Sequence, residues 1–247
     1  MGNGVTPALL ERTGLFRGIG EDALSAAATA ASRLALKNGS HLLKQGDPSG
    51  HLFLIERGRI KMSVVTPEGT QLTLRYMESG DIIGCAAVFQ GMPYPASGMA
   101  VGNASVLCWS ASQINGLIAQ YPKLAANALA IVSGRAEEFL QRLKETVTEK
   151  VEQRVARALM RIATHAGDII GTSGIKTVTV WRQQLAELAN TSLYTVSRIV
   201  SGWSRQGIVK AGRGRITICD PRRLADLAGD IRAAKRDIRG GLIRPKT

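Results

Sequence analysis

Between residues 40 and 83 the apolar positions come in short runs separated by glycine. Residues 40–44, 51–56, 59–65, 70–77 and 82–83 read as strands, punctuated by Gly39, Gly46, Gly50, Gly58, Gly69 and Gly80. Alternation at period two sets Ile60, Met62 and Val64 on one face, and Leu72, Leu74 and Tyr76 on another. An Ala-rich stretch over 21–34 precedes them and predicts a helix. Many short strands with regular turn signals predict a sandwich, jelly roll or barrel, whose interior either holds a small ligand or is filled by side chains.

The pattern then changes period. From Tyr121-Pro122 to about residue 166 there is no internal proline, and Gly134 is the sole glycine before Gly167. Leu129, Val132, Ala136, Phe139, Leu143 and Thr146/Val147 recur at threes and fours, a seam suited to a symmetry mate or to the helix's own domain. Lys150 falls on this seam and weakens its end. A further helix is predicted over 151–165 and a short extended piece over 178–180.

Residues 182–203 divide into two short amphipathic helices around Asn190-Thr191. Leu185 and Leu188 make one apolar face, and small Ala186 allows close approach of the second helix. Asn190 suits a left-handed turn, and Ser192 suits a helix N-cap. Val196, Ile199, Val200 and Trp203 point inward. Leu193, Tyr194, Ser197, Arg198 and Ser201 point outward. This is the helix-turn-helix pattern, in which the second helix enters the major groove by its N-terminal turns. Arg198 is then placed for guanine, Ser197 for a base or phosphate, Leu193 and Tyr194 for a thymine methyl, and Arg182 for a backbone phosphate. Two β-rich runs around Gly212-Arg213-Gly214 read as a hairpin, a wing whose Arg213 and Arg215 meet phosphates.

Charge agrees with this division. Of 247 residues, the first 150 carry 14 Lys/Arg against 12 Asp/Glu, and the remainder 18 against 7, within a formal net charge of +13. A nearly neutral front and a strongly basic back point to a polyanion as partner of the back half, either nucleic acid or an anionic membrane. The basic tail lacks a clear apolar face with bulky anchors, which disfavours the membrane. No stretch approaches the ~18 continuous apolar residues of a membrane helix, and the N-terminal ten do not read as a secretion signal, so a cytoplasmic protein is expected. Cys85, Cys108 and Cys219 are odd in number and widely spaced, which fits a reducing compartment and neither a disulfide scaffold nor a zinc finger. No metalloprotease, nucleophile-elbow or Walker pattern is present, so an enzyme is not expected.

The order of these textures resembles the CRP/FNR superfamily of bacterial transcription regulators over roughly residues 15–229. The resemblance rests on Gly46-Asp47, on Leu52-Phe-Leu-Ile-Glu-Arg-Gly58, on Gly80-Asp-Ile-Ile-Gly84 and on Thr191-Ser-Leu-Tyr-Thr-Val-Ser-Arg-Ile199. It implies an α+β architecture with a cyclic-nucleotide-binding-type β-roll (jelly roll) over 15–120 that senses an effector. A dimerisation helix over 121–150, a winged helix-turn-helix over 151–229 and a basic tail over 230–247 follow. It further implies a homodimer joined through Leu129, Val132, Ala136, Phe139 and Leu143, reading a palindromic operator, with RNA polymerase as a further partner. Gly84, Cys85, Tyr94 and Pro95 are the effector-pocket candidates.

The departures narrow the signal. In the cyclic-AMP branch a glutamate follows the glycine matching Gly84, and an Arg-Ser or Arg-Thr pair near Tyr94-Pro95 holds the phosphate. Here Cys85, Tyr94 and Pro95 occupy those places, so cyclic AMP is not expected. No cysteine precedes Cys85, so the iron–sulfur cluster of the oxygen-sensing branch is not expected. Met92-Pro-Tyr-Pro-Ala96 is similar to the nitric-oxide-responsive regulators of denitrification, which makes haem the cofactor candidate, with His41, His51 and Cys85, apart from Cys108, as the imidazole and thiolate candidates of the front domain. A regulator with no ligand remains the alternative to any signal. At the recognition helix, Tyr194 stands where glutamate is usual, which alters base preference there. The rival function is a small-ligand-binding module whose helix-turn-helix contacts protein instead of DNA.

Overall fold

The structure is a computed structural model and describes residues 5–166, 168–170, 175–212 and 214–229. The chain forms two compact units, Met1–Leu140 and Gln141–Thr247. Arg213 and the basic tail over 230–247 lie outside the described residues.

The first unit opens with α1 (Pro7–Glu11) and α2 (Glu21–Ala30). Eight strands follow: β1 (Ser32–Leu36), β2 (His41–Leu43), β3 (His51–Arg57), β4 (Ile60–Val65), β5 (Gln71–Met77), β6 (Ile82–Ile83), β7 (Ser97–Ala100) and β8 (Ala104–Ser110). Helix α3 (Cys85–Gln90) sits between β6 and β7, and α4 (Ala111–Gln120) and α5 (Lys123–Thr148) come after β8. The strands form two antiparallel four-stranded sheets, in the orders β1-β8-β3-β6 and β2-β7-β4-β5. This is the expected roll.

Strand β3 explains why the apolar run Leu52–Ile55 is continuous rather than alternating. Both of its faces are covered. Phe53 and Ile55 enter the core between the sheets with Ile60, Met77 and Val106. Leu52 and Leu54 enter the core beneath the helices with Phe16, Ala27 and Trp109. The Trp109 indole N–H donates to the Ala27 carbonyl at 2.8 Å, which satisfies its one polar atom in that core.

Two sequence expectations need correction here. The helix predicted over 21–34 stops at Ala30, because Ala31 is extended (φ −71, ψ 141) and residues 32–36 pair with β8 from Ser32↔Cys108 to Leu36↔Ala104. Alanine content favours helix, but the tertiary pairing of β1 overrides that preference. The alternation Leu72, Leu74, Tyr76 also fails. Met62 pairs with Arg75 and Ser63 with Thr73, so Leu74 is the extra residue of a β-bulge. Beyond the bulge the inward face passes to Arg75 and Met77, and Leu72 is left exposed.

The second unit begins within α5 and continues with α6 (Val151–Ala166), β9 (Asp168–Ile170), β10 (Ile175–Val178), α7 (Arg182–Leu188), α8 (Leu193–Arg205), β11 (Val209–Gly212), β12 (Arg215–Ile218) and α9 (Pro221–Leu227). The predicted hairpin is β11–β12, in register from Val209↔Ile218 to Gly212↔Arg215. It belongs to a larger sheet, β11-β12-β10-β9, of which the sequence suggests, beyond the hairpin, only a piece over 178–180. Val155, Leu159, Leu185, Val196, Trp203 and Ile216 share one core. No helix among the described residues is long and apolar enough to cross a membrane.

Candidate nucleic-acid interface and internal cavity

The turn between α7 and α8 is built as the sequence predicts. Asn190 alone among the described non-glycine residues has positive φ, at 49°. The Thr191 N–H donates to the Ala186 carbonyl at 3.0 Å. Ser192 caps α8 by accepting the Thr195 N–H at 3.1 Å. Arg154 of α6 holds the turn from behind, donating to the carbonyls of Ala189 (3.1 Å) and Asn190 (3.4 Å) and so satisfying groups that α7 leaves open at its end. The Trp203 indole donates to Glu152 at 2.9 Å and anchors the far end of α8.

These bonds fix which face of α8 meets water. Val196, Val200 and Trp203 are buried, whereas Leu193 is 47% and Tyr194 76% exposed. Arg198 and Ser201 are exposed and Ser197 is half-buried. An exposed tyrosine and leucine beside an arginine, at the N-terminal turns of a helix, form a surface a groove can cover.

The basic residues of this unit separate into two sets. Arg161 clasps the buried Glu145 at 2.8 Å, Arg157 lies 2.8 Å from Glu149, and Arg223 donates to the Gln206 carbonyl at 3.1 Å. These are structural. Arg182, Arg198, Arg205, Lys210 and Arg215 are exposed and make no ion pair among the described residues. The sequence pattern singles out Arg182, Arg198 and Arg215 from this set and passes over Arg205 and Lys210. It also passes over Trp181, which is 60% exposed at the start of α7. The Trp181 ring lies so close to Gly214 (φ +72) that a Cβ there would come within 3.0 Å of it, so only glycine lets the indole brace the wing turn.

Helix α5 carries an apolar stripe that is exposed among the described residues. Leu129 (67% exposed), Phe139 (62%), Leu140, Leu143 and Val147 stand in solvent, with exposed Ala136 among them. Val132 departs from the others, being half-buried against the core and the wall of a cavity.

That cavity, of about 270 Å³, lies in the first unit. Gly84, Cys85, Tyr94 and Pro95 all line it. Gly84 has φ +91, and a Cβ there would stand 2.7 Å from the His51 carbonyl oxygen. The Tyr94 hydroxyl donates to the His51 carbonyl at 2.6 Å and accepts the His51 N–H at 3.0 Å, so it latches the loop before β7 to the start of β3 rather than waiting for a ligand. Burial pushes the Cys85 thiol up to about 11, against the opposing pull of Arg135, and so keeps it neutral. Aliphatic side chains, Leu43, Met62, Leu74, Met77 and Ile83 among them, cover most of the wall.

Two arginines on this wall are absent from the sequence expectation. Arg75 reaches it from β5 because of the bulge at Leu74, and Arg135 reaches it from α5. The expectation that an anion would find no cation here therefore changes: the charge comes from other elements than the loop around Tyr94. A haem axial ligand must be an imidazole, thiolate or similar donor. The His41 and His51 residues are exposed and line no part of the cavity, so of these donors only Cys85 stands on its wall.

Residues 33–121 match the cyclic nucleotide-binding domain family, and residues 153–227 the Crp-like helix-turn-helix domain family. The chain is 23% identical over 217 residues to the CRP-like cAMP-activated global transcriptional regulator of Mycobacterium tuberculosis, covering 88% of this chain and 97% of that one. It is 25% identical over 215 residues to the cyclic AMP receptor protein of Thermus thermophilus, covering 87% and 96%. The structure of FixK2 from Bradyrhizobium japonicum superimposes with a TM-score of 0.70 at 18% identity, over 80% of this chain and 96% of that one.

Proposed function

The chain belongs to the CRP/FNR family of DNA-binding transcription regulators, which are not enzymes, and from that premise we propose that it binds a palindromic operator as a homodimer under the control of a ligand held in the first unit. One observation carries the reading: α8 turns Leu193, Tyr194 and Arg198 to solvent while its other face is buried. Arg198 is assigned to guanine, Ser197 to a base or phosphate and Leu193 with Tyr194 to a thymine methyl. Ser192 primarily caps the helix, and Arg182 and Arg215 are assigned to phosphates. The unpaired cations favour this over a helix-turn-helix used for protein contact, since protein interfaces deplete uncompensated charge at their cores.

The dimer follows from the α5 stripe. Apolar side chains this large, at a three-four spacing and exposed, are covered in a stable state by a like helix. The bound dimer then meets RNA polymerase, as a regulator of this family. The signal is not a cyclic nucleotide on this reading, because Cys85 replaces the carboxylate that would hold a ribose and the cavity wall offers no free hydroxyl.

Selection of duplexes from a random pool, followed by footprinting, tests the proposal. The expected result is a two-fold symmetric site with half-sites one turn, about 34 Å, apart. Enrichment of no sequence, or of a single asymmetric half-site, overturns it.

A further inference from the structure

Polar groups are few on the cavity wall, and most are engaged. The Tyr94 hydroxyl bonds both backbone polar groups of His51. The two guanidiniums are different. Arg75 donates one nitrogen to Glu138 at 3.0 Å, but its buried Nε has no partner among the described residues. Arg135 bonds the Ile82 carbonyl and makes no ion pair among the described residues. Burial, and then the neighbouring Arg75, lower the pKa of Arg135, with only partial relief from Asp81, Cys85 and Glu138. A half-buried guanidinium with no carboxylate in ion-pair contact favours an anion at this wall.

The geometry points to a small amphipathic carboxylate as the ligand of this cavity, its carboxylate bridging Arg75 and Arg135 and its apolar body lying against Met62, Leu74 and Val132. This rests on reading the first unit as the sensor of the regulator. Four features favour that class. Among the described residues two guanidiniums line the wall and no carboxylate does, which suits an anion. A planar guanidinium fork matches a planar carboxylate. The aliphatic wall rejects a ligand with several hydroxyls or ring nitrogens, since each buried group left unpaired costs about 1–3 kcal/mol. The cavity, about 270 Å³, admits only a small molecule. The bulge at Leu74 makes the arrangement, for it brings an aliphatic residue and an arginine, adjacent in sequence, to the same cavity.

The test is calorimetric titration of the full chain, without DNA, with hexanoate and phenylacetate, their neutral amides, inorganic phosphate and cyclic AMP. At least one carboxylate is expected to bind ten times more tightly than its amide and more tightly than phosphate or cyclic AMP. Arg135→Gln and Arg75→Gln are each expected to weaken that carboxylate at least tenfold, with Arg135→Lys intermediate. Should either glutamine variant fail to fold, Met62→Trp fills the cavity with both cations in place and is expected to abolish binding. Equal binding of acid and amide, no binding of either acid, preference for phosphate or cyclic AMP, or binding that survives these substitutions overturns the proposal. Because DNA is absent, any of these results leaves operator binding to be judged separately.

Discussion

In the second unit the side chains of Arg182, Arg198 and Arg215 stand in solvent, whereas in the first Arg75 and Arg135 line an apolar cavity, one bonded to a single carboxylate and the other to a carbonyl. The side chain is the same and the recognised anion differs. Exposed cations act collectively on a polymer whose condensed counter-ions they release, so their effect depends on salt and on number. A pair of half-buried cations at an apolar wall acts at short range, where mobile salt screens less and the shape of one small anion decides.

Salt separates the two most widely. Operator affinity is expected to fall by about 10³–10⁵ between roughly 50 and 200 mM salt if the dimer makes six to ten phosphate contacts, with Arg215→Ala lowering the slope by about one per protomer. Carboxylate binding in the first unit is expected to change less than tenfold over the same range. Gel shifts and calorimetry check the pair. A flat operator response would remove the exposed cations from the DNA interface, and a steep carboxylate response would place that anion on the surface.

The next effect depends on α5. Phe139→Glu with Leu143→Glu is expected to yield monomers in sedimentation and to weaken the operator by about 10²–10⁴, the advantage of engaging two half-sites at once. Carboxylate affinity per chain is expected to remain, since neither residue lines the cavity. A dimeric double variant would show that the seam lies elsewhere.

The same contrast decides which features are legible in the amino-acid sequence. The helix-turn-helix is legible because its chemistry is local: Asn190, Ser192 and Arg198 fall within nine positions, and helical spacing alone separates inward from outward residues. The strands of the roll are legible from apolar runs between glycines. The cavity's charge is not. Arg75 and Arg135 are sixty positions apart, and a bulge that no period-two reading detects turns Arg75 inward. Strand β1 is hidden because alanines read as helix until the pairing with β8 is seen. Trp181 escapes notice since nothing in its own neighbourhood says that the turn at Gly214 folds against it.

Within the second unit, Arg198→Ala sharpens the division between reading and holding DNA. Losing a bidentate guanine contact is expected to reduce discrimination between operator and random duplex by about 1–3 kcal/mol, with a smaller change on random duplex. Arg205→Ala is expected to weaken both by the same factor. Equal losses for Arg198→Ala on both duplexes would make it a backbone contact.

The smallest effect is confined to the first unit and follows from the thiol at the cavity wall. Burial raises Cys85 from its ordinary 9.0 to about 11, so the folded chain holds this proton at a pH where the unfolded chain has released it. Proton binding by the folded state alone makes stability fall as pH rises between those two values. Between pH 8.5 and pH 10 the loss is about 1 kcal/mol. Chemical denaturation at both pH values checks it, comparing the natural chain with Cys85→Ala. Lysines and tyrosines titrating nearby act on both proteins and cancel in the difference. The alanine variant is expected to start less stable, having lost a buried sulfur, and then to lose less on going to high pH. If both lose the same amount, the thiol is already wet, and the apolar wall that selects an amphipathic anion is wet with it.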